Sequence, residues 1–143
     1  MKRGVASRAI LAGIISGLFL GLFLKVIERV TGIKVYTLLL NVDYVPFLNQ
    51  IKLHETIEFG LHLIISIVLS LLIMKFLGGK RWGKGTKYSF IIGASITIGL
   101  ILFPTTALSA RTPELSSLAA LIYWLVGHGL YGWLLAWVLR TEE

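Results

Sequence analysis

Residues 54–77, HETIEFGLHLIISIVLSLLIMKFL, are longer and more apolar than a buried element of a soluble domain needs to be. About 20 apolar residues cross the hydrocarbon of a bilayer as an α-helix. Within lipid only helices and closed barrels satisfy their own backbone. The run nevertheless carries polar groups every fourth residue: His54, Glu58, His62, Ser66 and Ser70. Four residues overshoot one helical turn by ~40°, so these side chains form one slowly drifting ridge, with Glu55 beside its upper end. Ionisable groups inside a span face a bundle interior or a wet cavity and point to function.

Three further apolar runs accompany this one, at residues 9–24, 88–103 and 118–139. The first resembles a signal peptide, but Lys25, Val26, Ile27 and Glu28 follow it in place of a small-x-small cleavage site, so it is expected to be retained. The fold expected is an all-α integral membrane four-helix bundle using residues 1–143 as a single domain, with spans at about 8–29, 56–76, 88–103 and 118–139. Composition agrees: charged residues make up 15% of the chain, against about 25% in soluble domains. With no cysteine, disulfide and thiolate chemistry are excluded.

A net charge of +7 invites a nucleic-acid reading, and its distribution argues against one. In a four-span arrangement Lys2, Arg3, Arg8, Lys75, Lys80, Arg81, Lys84, Lys87 and Arg140 share one side with only Glu142 and Glu143. The other side balances Lys25, Arg29, Lys34, Lys52 and Arg111 against Glu28, Asp43, Glu55, Glu58 and Glu114. Excess Lys and Arg on one side is the positive-inside signature, which places both termini and the 78–87 turn in the cytoplasm. That turn, GGKRWGKGTK, has neither the Walker spacing nor a preceding strand, so it is not a phosphate loop.

Ala9, Gly13, Gly17 and Gly21 line one face of the first span and allow a second backbone to approach. Packing within the chain is the first reading, and a homo-oligomer through the same stripe is the alternative. Ser89, Gly93 and Thr97 form a similar stripe on the third span. The outer loop at 31–52 is apolar and interrupted by Pro46; it lies on the membrane surface or folds over the bundle mouth as a lid. Ser116 and Ser117 are placed to cap the fourth span, on which Trp124, His128 and Tyr131 share a face.

Both returning spans enter from outside. His62 lies ~12 Å below His54, and His128 ~15 Å below Leu118, at the helical rise, so the two histidines meet at similar depth. Glu58 would line the same pocket, with His54 and Glu55 at its mouth. Three chemistries compete: polar glue between helices, a ligand or proton pathway using His62, His128 and Glu58, and, last, a metal site drawn from His54, Glu58, His62 and His128. The metalloprotease form H-E-x-x-H is absent, since Glu58 stands where the second histidine belongs. No catalytic residue and no cofactor is expected. The function expected is a binding or transport-like membrane protein; a non-catalytic structural or accessory subunit is the alternative, and a metal-dependent membrane enzyme the weakest reading. The lipid bilayer is the expected partner.

The histidine opening LHLIISIVLSLLI from Leu61, the Phe103-Pro104 pair ending the third span, the proline-bearing loop and the final GHGLYGWLLAWVLR from Gly127 resemble the YagU family of small bacterial inner-membrane proteins, with a similar outline in YqhR-type proteins. The resemblance covers roughly residues 55–140. It implies a multi-pass protein of the bacterial cytoplasmic membrane, with His62, Pro104 and His128 as shared positions and no established biochemical role. A shorter chain and a third span without histidine depart from that pattern.

Overall fold

A computed structural model describes residues 3–51 and 53–139, which contain five α-helices and no strand. The charges at Lys2, Lys52, Arg140, Glu142 and Glu143 lie outside the described residues. Helices α1 (Arg3–Thr31), α3 (Glu55–Leu77), α4 (Lys84–Thr106) and α5 (Leu118–Leu139) are each long and apolar enough to cross a membrane. A short α2 (Val35–Leu40) and a 3-10 turn (Leu48–Gln50) occupy the connection between α1 and α3. Leu22, Val26, Ile64, Leu72, Ile101 and Trp133 are among the many exposed apolar side chains on the bundle exterior, a surface suited to lipid.

Local chemistry sets the helix ends. Gly32 and Gly79, both at positive φ, turn the chain after α1 and α3. His54 caps α3: its Nδ1 accepts from the Thr56 amide at 3.3 Å, and Glu55 and Glu58 complement the dipole in the first turn. At the start of α5 the Ser117 hydroxyl accepts from the Ala120 amide. The boundaries of α1 and α4 differ most from the sequence reading, α4 starting at Lys84, ahead of the expected 88. α1 begins at Arg3, and α4 runs three residues beyond Phe103 with Pro104 inside its last turn. The Thr105 and Thr106 hydroxyls donate to the Leu102 carbonyl there.

Helix neighbours are α3 on α1, α1 on α5 and α5 on α4. The α1–α3 seam is a register of hydrogen bonds. Ser70 Oγ donates to Ala9 O at 2.7 Å, Ser66 Oγ to Gly13 O at 2.7 Å, and His62 Nε2 to Gly17 O at 3.3 Å. Each four-residue step up α3 meets a four-residue step down α1, as antiparallel helices require. The glycines make this approach possible: a Cβ on Gly13 would sit 2.7 Å from Ile67 Cα, and one on Gly17 2.9 Å from Ser66 Oγ. Gly21 faces the Phe59 ring. The stripe is filled from within the chain, so self-association through it would require α3 to leave.

On α4 the small stripe is not the expected one. Ser89, Gly93 and Thr97 are exposed, and a Cβ at Gly93 would meet nothing. Ile91, Ser95, Gly99 and Phe103 are buried instead. Gly99 gives way to the His128 ring, and Gly132 of α5 to Ser95 and the Ile92 backbone. The two stripes share a four-residue spacing and a serine followed by a glycine, and they point in different directions. Only the partner helix decides between them.

Candidate functional site

α3 and α4 follow one another in the chain, yet they do not pack along their length. They meet near the 78–83 turn, where the Phe76 and Phe90 rings stack at 5.0 Å and Trp82 packs edge-on against both. Above that clamp they part and leave a cleft with about 660 Å³ of empty space, including its open mouth. Leu61, Ile65 and Leu69 form one wall and Ile98 and Leu102 the other; Trp124, His128 and Tyr131 of α5 form the floor.

The loop ahead of α3 roofs this cleft. Leu39, Asn41, Val42 and Tyr44 line it, and Val35, Leu38, Leu40 and Val42 are buried. Of the two readings of the 31–52 segment, the fold adopts the cover over the mouth. The cover is tied to the end of α4 and the loop that follows it. Asn41 Nδ2 donates to Thr106 O at 2.6 Å, and Asp43 takes a hydrogen bond from Ser109 Oγ at 2.7 Å and an ion pair from Arg111 at 3.0 Å. Arg111 also reaches Glu58 at 3.5 Å. Burial opposes the Arg111 charge, but the Asp43 hydrogen bond and the Asp43 and Glu58 carboxylates together outweigh it, and its pKa is raised.

His62 and His128 line this cleft together, as their depths predict. Each spends one ring nitrogen on a carbonyl: His62 Nε2 on Gly17 O of α1, and His128 Nδ1 on Trp124 O at 2.8 Å. A carbonyl only accepts, so the bonded nitrogen carries the hydrogen in each ring. The His128 ring lies 4.5 Å from the Trp124 ring, whose Nε1–H donates to Gly99 O at 2.7 Å. Tyr131 Oη lies 2.9 Å from Ser66 Oγ.

Glu58 is buried and borders the cleft, but its partner is Arg111 and not His62. Glu55 is exposed and faces a second cavity with Lys25, Glu28, Arg29 and Tyr36. It pairs with Lys25 at 2.6 Å and accepts from Tyr36 Oη at 2.9 Å. Burial, then the Glu55 bond and charge, push the Tyr36 phenol above its ordinary value. His54 is the helix cap already described, and it borders neither cavity. The expected metal set is therefore not assembled: among the described residues no three of His, Asp and Glu are grouped to hold an ion. His54 is spent on Thr56, Glu58 on Arg111, and the two imidazoles on separate backbones.

Sequence reasoning missed Asn41, Asp43, Ser109 and Arg111. Their balanced charges were visible, but nothing local pairs two loops about 68 residues apart. No family model matches the chain, and neither a curated protein nor a solved structure does.

Proposed function

We propose that this chain is a four-span membrane protein, with both termini and the 78–87 turn cytoplasmic, that binds a small apolar or amphiphilic molecule in the cleft between α3 and α4. The observation that carries the reading is the cleft itself: two neighbouring helices held apart, an apolar lining, and a few convergent polar groups on His62, His128, Tyr131 and Glu58. Side chains that filled this space would stabilise a merely structural bundle by their contacts. The cytoplasmic placement of the turn is supported by Arg8, Lys75, Lys80, Arg81, Lys84 and Lys87 at that end. The bacterial inner membrane is supported by the resemblance to the YagU outline. A structural or accessory role remains a second reading, favoured by the bonds of His62, Ser66 and Ser70 to the α1 backbone.

Native mass spectrometry of the full chain released from membranes tests the proposal. The wild type should carry one amphiphile-sized adduct. Ile98→Trp, which fills the cleft from the α4 wall, should lose it while melting within a few degrees of the wild type. Retention of the same adduct by the filled variant would remove the cleft as the binding site.

A further inference from the structure

We infer that the molecule held in the α3–α4 cleft is an alkyl chain ending in a neutral hydroxyl group, an inference that rests on the binding role proposed above. The argument is an account of hydrogens. His62 Nε2 and His128 Nδ1 carry theirs to carbonyl oxygens, which leaves His62 Nδ1 and His128 Nε2 as bare acceptors in neutral rings. Two imidazolium ions around one apolar cleft would repel each other, and Glu58, the nearby carboxylate, is engaged by Arg111. Among the described residues only Ser16 Oγ is a fully buried side-chain polar atom without a partner. The two bare nitrogens therefore open onto space, and both residues line the cleft.

Away from the Asn41 and Tyr44 cover, the remaining polar groups of the cleft have also committed their hydrogens. Ser66 donates its only hydroxyl hydrogen to Gly13 O, so Tyr131 must be the donor in the Tyr131–Ser66 bond. Thr106 Oγ1 donates to Leu102 O and Trp124 Nε1 to Gly99 O. The inner wall thus presents lone pairs where a ligand would need a partner. A carboxylate or phosphate head brings only more lone pairs. A hydroxyl brings a hydrogen, and the leucine and isoleucine walls take the chain that carries it. At the mouth one Arg111 is shared by the Asp43 and Glu58 carboxylates, so it is not free to receive an anionic head.

The test uses full-length protein with Trp82, Trp133 and Trp137 changed to Phe, so that Trp124 on the cleft floor is the sole reporter. It is placed in phosphatidylcholine nanodiscs and titrated with 2-bromododecan-1-ol, its methyl ether and 2-bromododecanoate, whose bromine sits beside the head group, next to the Trp124 ring that packs on His128, and quenches tryptophan on contact. The alcohol should quench saturably at a concentration roughly three- to tenfold below the ether, the worth of one hydrogen bond, and the carboxylate should be the weakest. Thermal melts of the wild type with the same three probes make the test independent of the substitutions, and the alcohol should raise the midpoint most. If the ether matches the alcohol, or the carboxylate exceeds it, the hydroxyl assignment falls while cleft binding stands. If no probe quenches saturably or shifts the melt, the binding role falls as well.

Discussion

Gly13→Ala adds one carbon at the tightest backbone approach in the α1–α3 seam. Its Cβ would lie 2.7 Å from Ile67 Cα and 3.0 Å from Ser66 O. Both are backbone atoms and cannot rotate away. Carbon contacts settle near ~3.5 Å, so the helices must part by about 1 Å. That opening takes the Ser66 Oγ–Gly13 O bond from 2.7 Å to the limit of a hydrogen bond, about 3.5 Å, and stretches the Ser70 and His62 bonds beside it. Interhelical hydrogen bonds in membranes are worth about 0.6 kcal/mol each. Overpacking adds about 1–3 kcal/mol, and the better helix propensity of alanine returns up to about 1 kcal/mol. The expected net loss is about 2 kcal/mol. Gly93→Ala, with nothing near its Cβ, should be neutral or stabilise by up to about 1 kcal/mol. Reversible unfolding in mixed detergent–dodecyl sulfate micelles, followed by far-ultraviolet circular dichroism, measures both. A Gly13→Ala protein as stable as the wild type would mean that α1 and α3 do not meet in this register.

Other consequences follow from the same contacts. Gly17→Ala should cost about 1 kcal/mol, since part of what it meets is the movable end of Leu63, and Gly17→Leu should cost more than either alanine variant because it forces the backbones apart. Arg111→Gln and Asp43→Asn should be less than additive in a double-mutant melt, because each breaks the same tie across the cover; additive losses would mean that the loops are not joined there. Tyr36 has its pKa raised in the fold, so its contribution is present below the ordinary phenol value of about 10 and is lost as pH rises past it. Tyr36→Phe should flatten stability above that pH relative to the wild type, and parallel curves would remove the Glu55 bond from the account. In this cysteine-free chain, a cysteine at Gly79 should resist an impermeant thiol reagent in intact cells and one at Thr112 should react; the reverse pattern would invert the topology.

Much of the architecture was legible because lipid imposes simple rules. The α3 run was readable to within a residue, since its ends carry a capping histidine and a glycine pair and its middle is uninterrupted. The Gly13, Gly17 and Gly21 stripe and the His62, Ser66 and Ser70 ridge were each visible by spacing. That they are the two halves of one seam was not, because neither pattern names its partner. His62 and His128 were brought together by counting depth from two helix starts, which needs no tertiary knowledge. Glu58 stands one turn from His62 on the same helix, yet Arg111 engages it from a loop distant in sequence. Proline at 104 suggested a stop, but a proline in a last turn removes few backbone bonds and α4 continues through it.

The separation of α3 from α4 carries the functional account, and disulfide trapping measures it. Ile96 and Gly129 face each other where α4 packs on α5, with a Gly129 Cβ falling 3.7 Å from Ile96 Cγ1, while Ile65 and Ile98 stand on opposite walls of the cleft. With a mild oxidant in native membranes, the Ile96→Cys/Gly129→Cys pair should cross-link readily and the Ile65→Cys/Ile98→Cys pair should stay reduced, because cysteines held across an open cleft cannot reach disulfide geometry. Equal cross-linking of both pairs would show α3 and α4 packed together and the cleft closed.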